Sequence, residues 1–523
     1  MSETIIDTPE LFFCLAGPVG VDLDSVSDAL IQQLWLFGYK TEYIHITDLL
    51  PFIDPTLSQK FPTLADRYDR FISSSNELRK TFKNNALMAL LSLFQIQKAR
   101  EKHTQNPEQP AHGVVYIIRQ LKRPEEISLF RELYGKQVFQ ISAYADPEQR
   151  KGRLAAKMRD YDSAKTRISE FEGAALNLVN RDEHEDAVSN GQRLRDVFPL
   201  ADVFIDATTS DSIRKTIQRF LRVVFGYNFH SPTREEYGMY IAKSASLRSS
   251  DLSRQVGAAV FSAEGEVKVL GCNEVPSPSG GTYWEDDQGD SREFKVGLDT
   301  NEEFKHRLLS DVIKNFVRAG IMDKRFSMMP TRRFLAVAKR VGKFDLEKQL
   351  LMMDLIEYGR IIHAEMNAIT DAARKGISLK DGILYCTTFP CHLCAKHIIS
   401  SGIKKVIYIE PYPKSYTQEL YRDEIYLGRT QHQSPERVHF EPFIGIAPFR
   451  FRDFFQKGKR KSLSGKAKEW ENGEPRPILE IKAEVYPEVE TQYLKALVQQ
   501  FAEKRVGLPD SVVTHNKDKK AAP

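Results

Sequence analysis

Cys391 and Cys394 stand three residues apart directly behind Pro390, and His363-Ala364-Glu365 stands upstream of them. Proline is favoured at the first turn of a helix, and two cysteines at this spacing in such a turn share one face. The same helix start stabilises their thiolates. A chain that uses this pair must bring the helix that begins near His363 against the helix that begins near Pro390. The other cysteines are 14, 272 and 386, an odd and sparse set of five in 523 residues. That usage argues against a disulfide framework and marks the close pair as metal ligands.

One imidazole and two thiolates make three protein ligands, the number a catalytic zinc ion takes when its fourth position is kept for water. Glu365 is surplus to that ligand set and is placed to move protons. A closed structural site would need a fourth ligand, from His392, His397 or Cys386, and would leave Glu365 without a purpose. The His-x-Glu and Pro-Cys-x-x-Cys pair matches the signature of zinc nucleobase deaminases, in which the metal activates water and the glutamate shuttles protons.

Two series of alternating strands and helices share the chain. The first begins with the apolar run Leu11 to Gly17, followed by helical spacing from Asp24 to Phe37. Further strands are expected at 113–118, 137–144 and 201–205, giving a parallel α/β domain over residues 1–226. The second series places a helix from about Glu235 to Leu247, strands at 256–261 and 267–273, and a helix from His363. A strand at 382–389, a helix from Pro390 and a strand at 404–410 complete it. The second domain is drawn as 227–500, interrupted by an insertion at 277–359 that reads as a lid or an assembly element. Residues 501–523 are expected to form a tail, and the basic run Gln456 to Lys468 to be solvent-exposed.

With HAEMNAI at 363–369 and FPCHLCAKHIISSGIKKVIYI at 389–409, the segment Glu236 to Asn273 resembles the deoxycytidylate deaminases. The resemblance implies a cytidine deaminase-like three-layer α/β/α fold, Zn2+ on His363, Cys391 and Cys394, catalysis by Glu365, and a deoxycytidine nucleotide as substrate. In that family the segment matching Val256-Gly257-Ala258 runs along the active-site strand, and the asparagine of a Gly-Tyr-Asn-Gly-x-Pro turn contacts the sugar. Here the turn reads Gly271-Cys272-Asn273-Glu274-Val275-Pro276, so Asn273 carries over while Cys272 and Glu274 depart from the pattern. Ala364 and its backbone are expected to read the base. Lys243, Arg254, Arg248 and Lys414 are candidates for phosphate contacts.

Gly17-Pro18-Val19-Gly20-Val21-Asp22-Leu23-Asp24 lies between a strand and a helix, where a phosphate-binding loop would sit. Asp22, Leu23 and Asp24 replace the glycine, lysine and hydroxyl residue of a working loop, so Gly17 and Gly20 belong to a degenerate one. Together with VVYIIRQLKRPEE at 114–126 and DVFPLADVFID at 196–206, the chain resembles bacterial anti-phage dCTP deaminases, which join a degenerate P-loop kinase-like domain to a deaminase domain. That resemblance implies conversion of dCTP and dCMP to the uracil nucleotides, and an inhibitory small RNA as partner.

Other classes stay open on the residues alone. A metabolic dCMP deaminase would carry the same site. A nucleic-acid-editing deaminase would need a basic groove with aromatic platforms, for which residues 456–468 are the clearest candidate. Lys plus Arg number 75 against 71 Asp plus Glu, so net charge does not argue for nucleic acid. No run approaches the roughly 20 apolar residues of a membrane span. A cytoplasmic protein forming a homo-oligomer is expected.

Overall fold

Strand β1 (Leu11–Ala16) is buried along its whole length, as a strand with parallel neighbours and both faces covered must be. Phe12, Cys14 and Ala16 enter one core with Met88, Leu91 and Phe130, while Leu11, Phe13 and Leu15 enter another with Val26, Leu30 and Phe220. Its neighbours are β2 (Lys40–His45), β3 (Val114–Arg119), β4 (Val138–Tyr144) and β5 (Val203–Asp206). They lie parallel in the order β5-β4-β1-β3-β2, with Gly445–Ile446 pairing antiparallel on the β5 edge. Predicted strand ends agree to within two residues. β2 escapes the sequence pattern because it is an edge strand of mixed polarity, KTEYIH, with little of its length buried.

This computed structural model describes residues 7–162, 167–183, 191–278, 280–342, 345–412, 415–429, 436–468, 470, 476–479 and 484–508. They form two units, the described parts of Met1–Glu236 with Ile444–Pro523, and Tyr237–Phe443. The chain thus leaves the first unit after Glu236 and re-enters it at Ile444. The sequence reading assigned 227–236 and 444–500 to the second domain, whereas both belong with the first unit. Helix Tyr486–Glu503 packs on helix Leu87–Thr104, and its Leu494, Leu497 and Phe501 belong to the first core. No local pattern announces a partner that lies nearly four hundred residues away.

Buried charge pins this return. Arg100 is fully buried and bridges Glu10 (Nε–Oε1 2.9 Å) and Glu490 (Nη1–Oε2 2.7 Å). The hydroxyls of Tyr116 and Tyr486 donate to the two oxygens of Glu10 at 2.8 and 2.7 Å.

In the second unit β6 (Gly257–Phe261), β7 (Val267–Cys272), β8 (Ile383–Thr388), β9 (Lys405–Glu410), β10 (Ile425–Leu427) and β11 (Val438–Pro442) form a second six-stranded sheet in the order β10-β11-β9-β8-β6-β7. β6 runs antiparallel to both its neighbours and the other pairs are parallel. The insertion falls between β7 and β8. Its helices Thr300–Arg318 and Thr331–Gly342 share a small core of Leu309, Ile313, Leu335 and Met353, and add no strand to the sheet among the described residues. No helix of the described residues is long and apolar enough to cross a membrane. The basic run 456–468 is largely exposed; of the tail expected at 501–523, residues 501–503 instead end helix Tyr486–Glu503 with Phe501 in the first core, and residues from 509 onward lie outside the described residues.

Breaking a buried ion pair by removing one partner costs about 3–5 kcal/mol, because the other charge is left uncompensated. Glu490→Ala is therefore expected to destabilise the first unit by about 3 kcal/mol, measured by urea unfolding of the full chain, with metal content of the second unit unchanged.

Candidate metal and catalytic site

Two helix starts converge in the second unit. His363 is the N-cap of helix Ala364–Lys375, and Cys391 is the N-cap of helix His392–Ser400, with Cys394 in its first turn. Both caps have extended backbone, which turns the ligand side chains away from the helix axes. His363 Nδ1 lies 3.2 Å from Cys391 Sγ and 3.4 Å from Cys394 Sγ. Zinc bonds of about 2.05 Å to nitrogen and 2.3 Å to sulfur at the tetrahedral angle give an N–S edge of about 3.6 Å. The donors fit that cage. Among the described residues this is the one group of three whose ligand atoms lie within 4.8 Å of one another.

Close packing sets the helix positions. A Cβ on Gly271 of β7 would lie 2.1 Å from the carbonyl oxygen of Ala364 and 2.7 Å from the nitrogen of Ala368. Only a residue without a side chain lets the His363 helix rest on the sheet here. Asn367 Nδ2 donates to the Cys272 carbonyl at 2.9 Å, and Glu274 and Ile362 exchange backbone hydrogen bonds just before His363. On the other side, the hydroxyls of Ser415 and Thr417 donate to the Pro390 carbonyl at 3.0 and 3.1 Å and hold the loop that presents Cys391.

Glu365 is 4% exposed. Burial pushes its carboxyl above the ordinary range, and the Cys391 thiolate pushes in the same direction. The hydrogen bond with Cys394 lowers the Cys391 thiol to about 4, against burial and with help from His363. His363 is raised to about 9: burial works against its charge, and the bond to Cys391 outweighs it.

His363, Glu365 and Cys391 open onto a cavity of about 200 Å³ that Asn273, Ala364, Arg254 and Tyr412 also line, while Cys394 is fully buried behind them. The Arg254 guanidinium lies 5.0 Å from the Tyr412 ring centre. Asn273 spends its amide on the neighbouring segment: Oδ1 accepts from Val256 N at 2.7 Å and Nδ2 donates to the Arg254 carbonyl at 2.9 Å. Lys243 and Arg248 do not line this cavity. Arg248 instead donates to Thr282 Oγ1 at 2.7 Å beneath Trp284. Lys414 lies outside the described residues.

Residues that the sequence reading did not single out complete the site. Glu293, Asp299, Asn301, Ile356 and Gly359 of the insertion line the cavity, so the insertion shapes the pocket. Glu274, noted above only as a departure from a pattern, accepts from Ser250 N (2.8 Å) and its own neighbour Val275 N (2.9 Å) and fixes the turn after β7. No motif marks Ser415, Thr417 or the insertion residues, which reach the site only through tertiary packing.

Residues 232–410 match the family described as the cytidine and deoxycytidylate deaminase zinc-binding region. Over this stretch the chain is similar to the cytidine and deoxycytidylate deaminases. The metal of that family is zinc. The chain is 54% identical over 54 residues to deoxycytidylate deaminase of Enterobacteria phage T2, covering 10% of this chain and 29% of that protein. It is 46% identical over 63 residues to ComE operon protein 2 of Bacillus subtilis, 12% of this chain and 33% of the relative. Against deoxycytidylate deaminase of Mus musculus the identity is 26% over 174 residues, 33% of this chain and 63% of the relative. The chain therefore spans less than a third of the phage relative's length. Among solved structures, dCMP deaminase from the cyanophage S-TIM5 is 17% identical with a TM-score of 0.22, covering 40% of this chain and 99% of that one.

In the first unit, Gly17 and Gly20 border the loop that leads into helix Leu23–Leu36, and Asp22 caps that helix through Ser25 N at 3.0 Å. Gly20 has φ of 90°, and a Cβ there would lie 2.5 Å from the Arg150 carbonyl. The loop nitrogen of Val19 donates to Asp182 Oδ2 at 2.8 Å, and Lys122 Nζ bridges Asp182 and the Gly17 carbonyl at 2.8 and 3.1 Å.

Gly271→Ala is expected to lower zinc affinity at least tenfold and to cost about 1–3 kcal/mol by overpacking; chelator competition and thermal unfolding measure the two effects, and unchanged affinity would detach the helix position from Gly271. Zinc binding needs neutral His363, which is protonated below about 9. Affinity should therefore strengthen as pH rises from 6 to 8.5, with proton release on metal uptake measurable by calorimetry in buffers of different ionisation enthalpy.

Proposed function

We propose that this chain is a zinc-dependent hydrolase that removes the C4 amine of deoxycytidine nucleotides, dCTP and dCMP, giving the uracil nucleotides. The observation that carries the reading is a buried carboxyl, Glu365, kept apart from the ligand set yet sharing a cavity with His363 and Cys391. His363, Cys391 and Cys394 would hold the zinc, which supplies a water of pKa about 7 at its fourth position. Glu365, protonated more readily than an ordinary carboxylate, takes a proton from water and returns protons to N3 of the ring and to the leaving amine. Burial of Glu365 keeps those transfers away from bulk solvent.

Ala364 and its backbone read the base in this proposal, Asn273 holds the wall that faces the sugar, and Arg254 meets phosphate. The bonds from Asn273 to residues 254–256 mean that it positions Arg254 whether or not it also touches the sugar. The presence of a first unit with a degenerate phosphate loop is the basis for extending the reading to dCTP depletion during phage infection, as in the anti-phage dCTP deaminases that the chain resembles. The first unit is proposed to regulate and not to catalyse, because its loop lacks the lysine and hydroxyl of a phosphoryl-transfer site.

Product analysis of purified protein given dCTP, dCMP and a cytosine-containing oligonucleotide tests the substrate class; deamination of the oligonucleotide alone would overturn the nucleotide reading. Cys391→Ala and Cys394→Ala should each lose zinc and turnover together. Glu365→Ala should keep its zinc while kcat falls by at least 10²-fold, the low end for a general acid–base residue. Metal analysis beside kinetics separates the two outcomes.

A further inference from the structure

Asn273, which the family resemblance assigns to the sugar, has a backbone partner on each atom of its amide, Val256 N on Oδ1 and the Arg254 carbonyl on Nδ2. Asn301 is committed in the same way: its Nδ2 donates to the Leu355 carbonyl at 2.8 Å and its Oδ1 accepts from Tyr358 N at 3.2 Å. Both residues line the cavity beside His363, and both amides serve there as struts. A sugar hydroxyl entering the cavity brings a proton to donate, and it needs an acceptor with a free lone pair.

Glu293 is such an acceptor. It reaches the cavity from the insertion and is 4% exposed. Its Oε1 accepts from Thr300 Oγ1 at 2.9 Å and from Thr300 N at 3.4 Å, which fixes the carboxylate against the start of helix Thr300–Arg318. Its Oε2 has no hydrogen-bond partner among the described residues, yet it is not sealed inside the protein and keeps access to the cavity. A carboxylate so little exposed, with one oxygen unused, is costly unless a donor reaches it. Asp251 and Asp299 line the same cavity, and each has one oxygen engaged, Asp251 by Ser253 N at 2.6 Å and Asp299 by Glu302 N at 3.1 Å. Both are more exposed than Glu293, so water serves their free oxygens.

Charge narrows what the donor can be. Arg254 is the one lysine or arginine on this cavity among the described residues. Burial raises the proton affinity of Glu293, and the charges of Asp299 and Asp251 raise it further. A phosphate set against Glu293 would face these like charges, so phosphate belongs with Arg254. The ring belongs with Ala364 and Glu365. What remains of a deoxycytidine nucleotide is the 3′-hydroxyl, which is neutral and can donate. We propose that Glu293 determines specificity by accepting the 3′-hydroxyl of the deoxyribose on Oε2, so that the insertion reads the sugar. This rests on the nucleotide deaminase reading above.

Steady-state kinetics on the zinc-loaded full chain with dCTP, dCMP and their 2′,3′-dideoxy counterparts, for wild type and Glu293→Gln, tests it. Glutamine keeps the size of the side chain and an oxygen for Thr300 while placing an amide N–H where Oε2 stood. Wild type should prefer the substrate that bears the hydroxyl by at least tenfold in kcat/KM, as expected of a site that hydrogen-bonds a substrate hydroxyl. Glu293→Gln should shrink that preference to about threefold or less, with zinc content unchanged. Equal kcat/KM with and without the hydroxyl in wild type would overturn the inference alone. So would a Glu293→Gln that loses activity on both substrates in the same proportion, or a preference kept in Glu293→Gln and lost in Asn273→Ala, which would return the sugar to Asn273. No deamination of any of these nucleotides by wild type would overturn the proposed function, and the inference with it.

Discussion

Two sulfurs and a carboxyl crowded around one imidazole in an apolar interior are the constraint on which the second unit depends. Cys391 and Cys394 belong to the same buried cluster as Ala364, Ile398 and Phe440. Negative charge in such a place is costly without a cation and oriented donors. Two helix starts aimed at one point supply the dipoles, and a divalent ion supplies the cation. The close approach at Gly271, the Asn367 link to β7 and the clamps on the Pro390 carbonyl all serve that convergence. Glu365 shares the setting without joining the ligands, so the same burial that makes the site expensive also raises its proton affinity.

The first unit begins with a strand leading through a glycine-bearing loop into a helix, and its helix start is used differently. Its loop donor is satisfied from within, by Asp182 brought from a helix more than a hundred and fifty residues away. The chain has supplied its own anion where a working loop would receive a phosphate. Nearby, Arg79 and Arg119 are likewise matched by carboxylates of the first unit, Glu126 and Asp24.

Much of the fold was legible because the signals were local. A strand buried on both faces reads as a continuous apolar run, as Leu11–Ala16 does, and the helix starts at His363 and Pro390 announce themselves through ligand spacing and proline. The edge strand Lys40–His45 and the short strands near residues 425 and 438 carry no such run and were not read. The domain border failed for another reason. Helix Tyr486–Glu503 belongs with the first core through Arg100, Glu10 and Tyr116, and a pairing across that distance leaves no period in the sequence.

The sequence by itself singled out His363, Cys391 and Cys394 as a metal-ligand set, Glu365 as a residue outside it, and Asp22, Leu23 and Asp24 as departures from a phosphate loop, because each reading depends on residue type at short spacing. Tertiary structure alone decided that Asn273 braces residues 254–256, that Lys243 stays away from the pocket while the insertion lines it, and that Asp182 fills the loop. Side-chain chemistry is written residue by residue, whereas the partner that satisfies a buried polar group is chosen by packing among segments far apart in the chain.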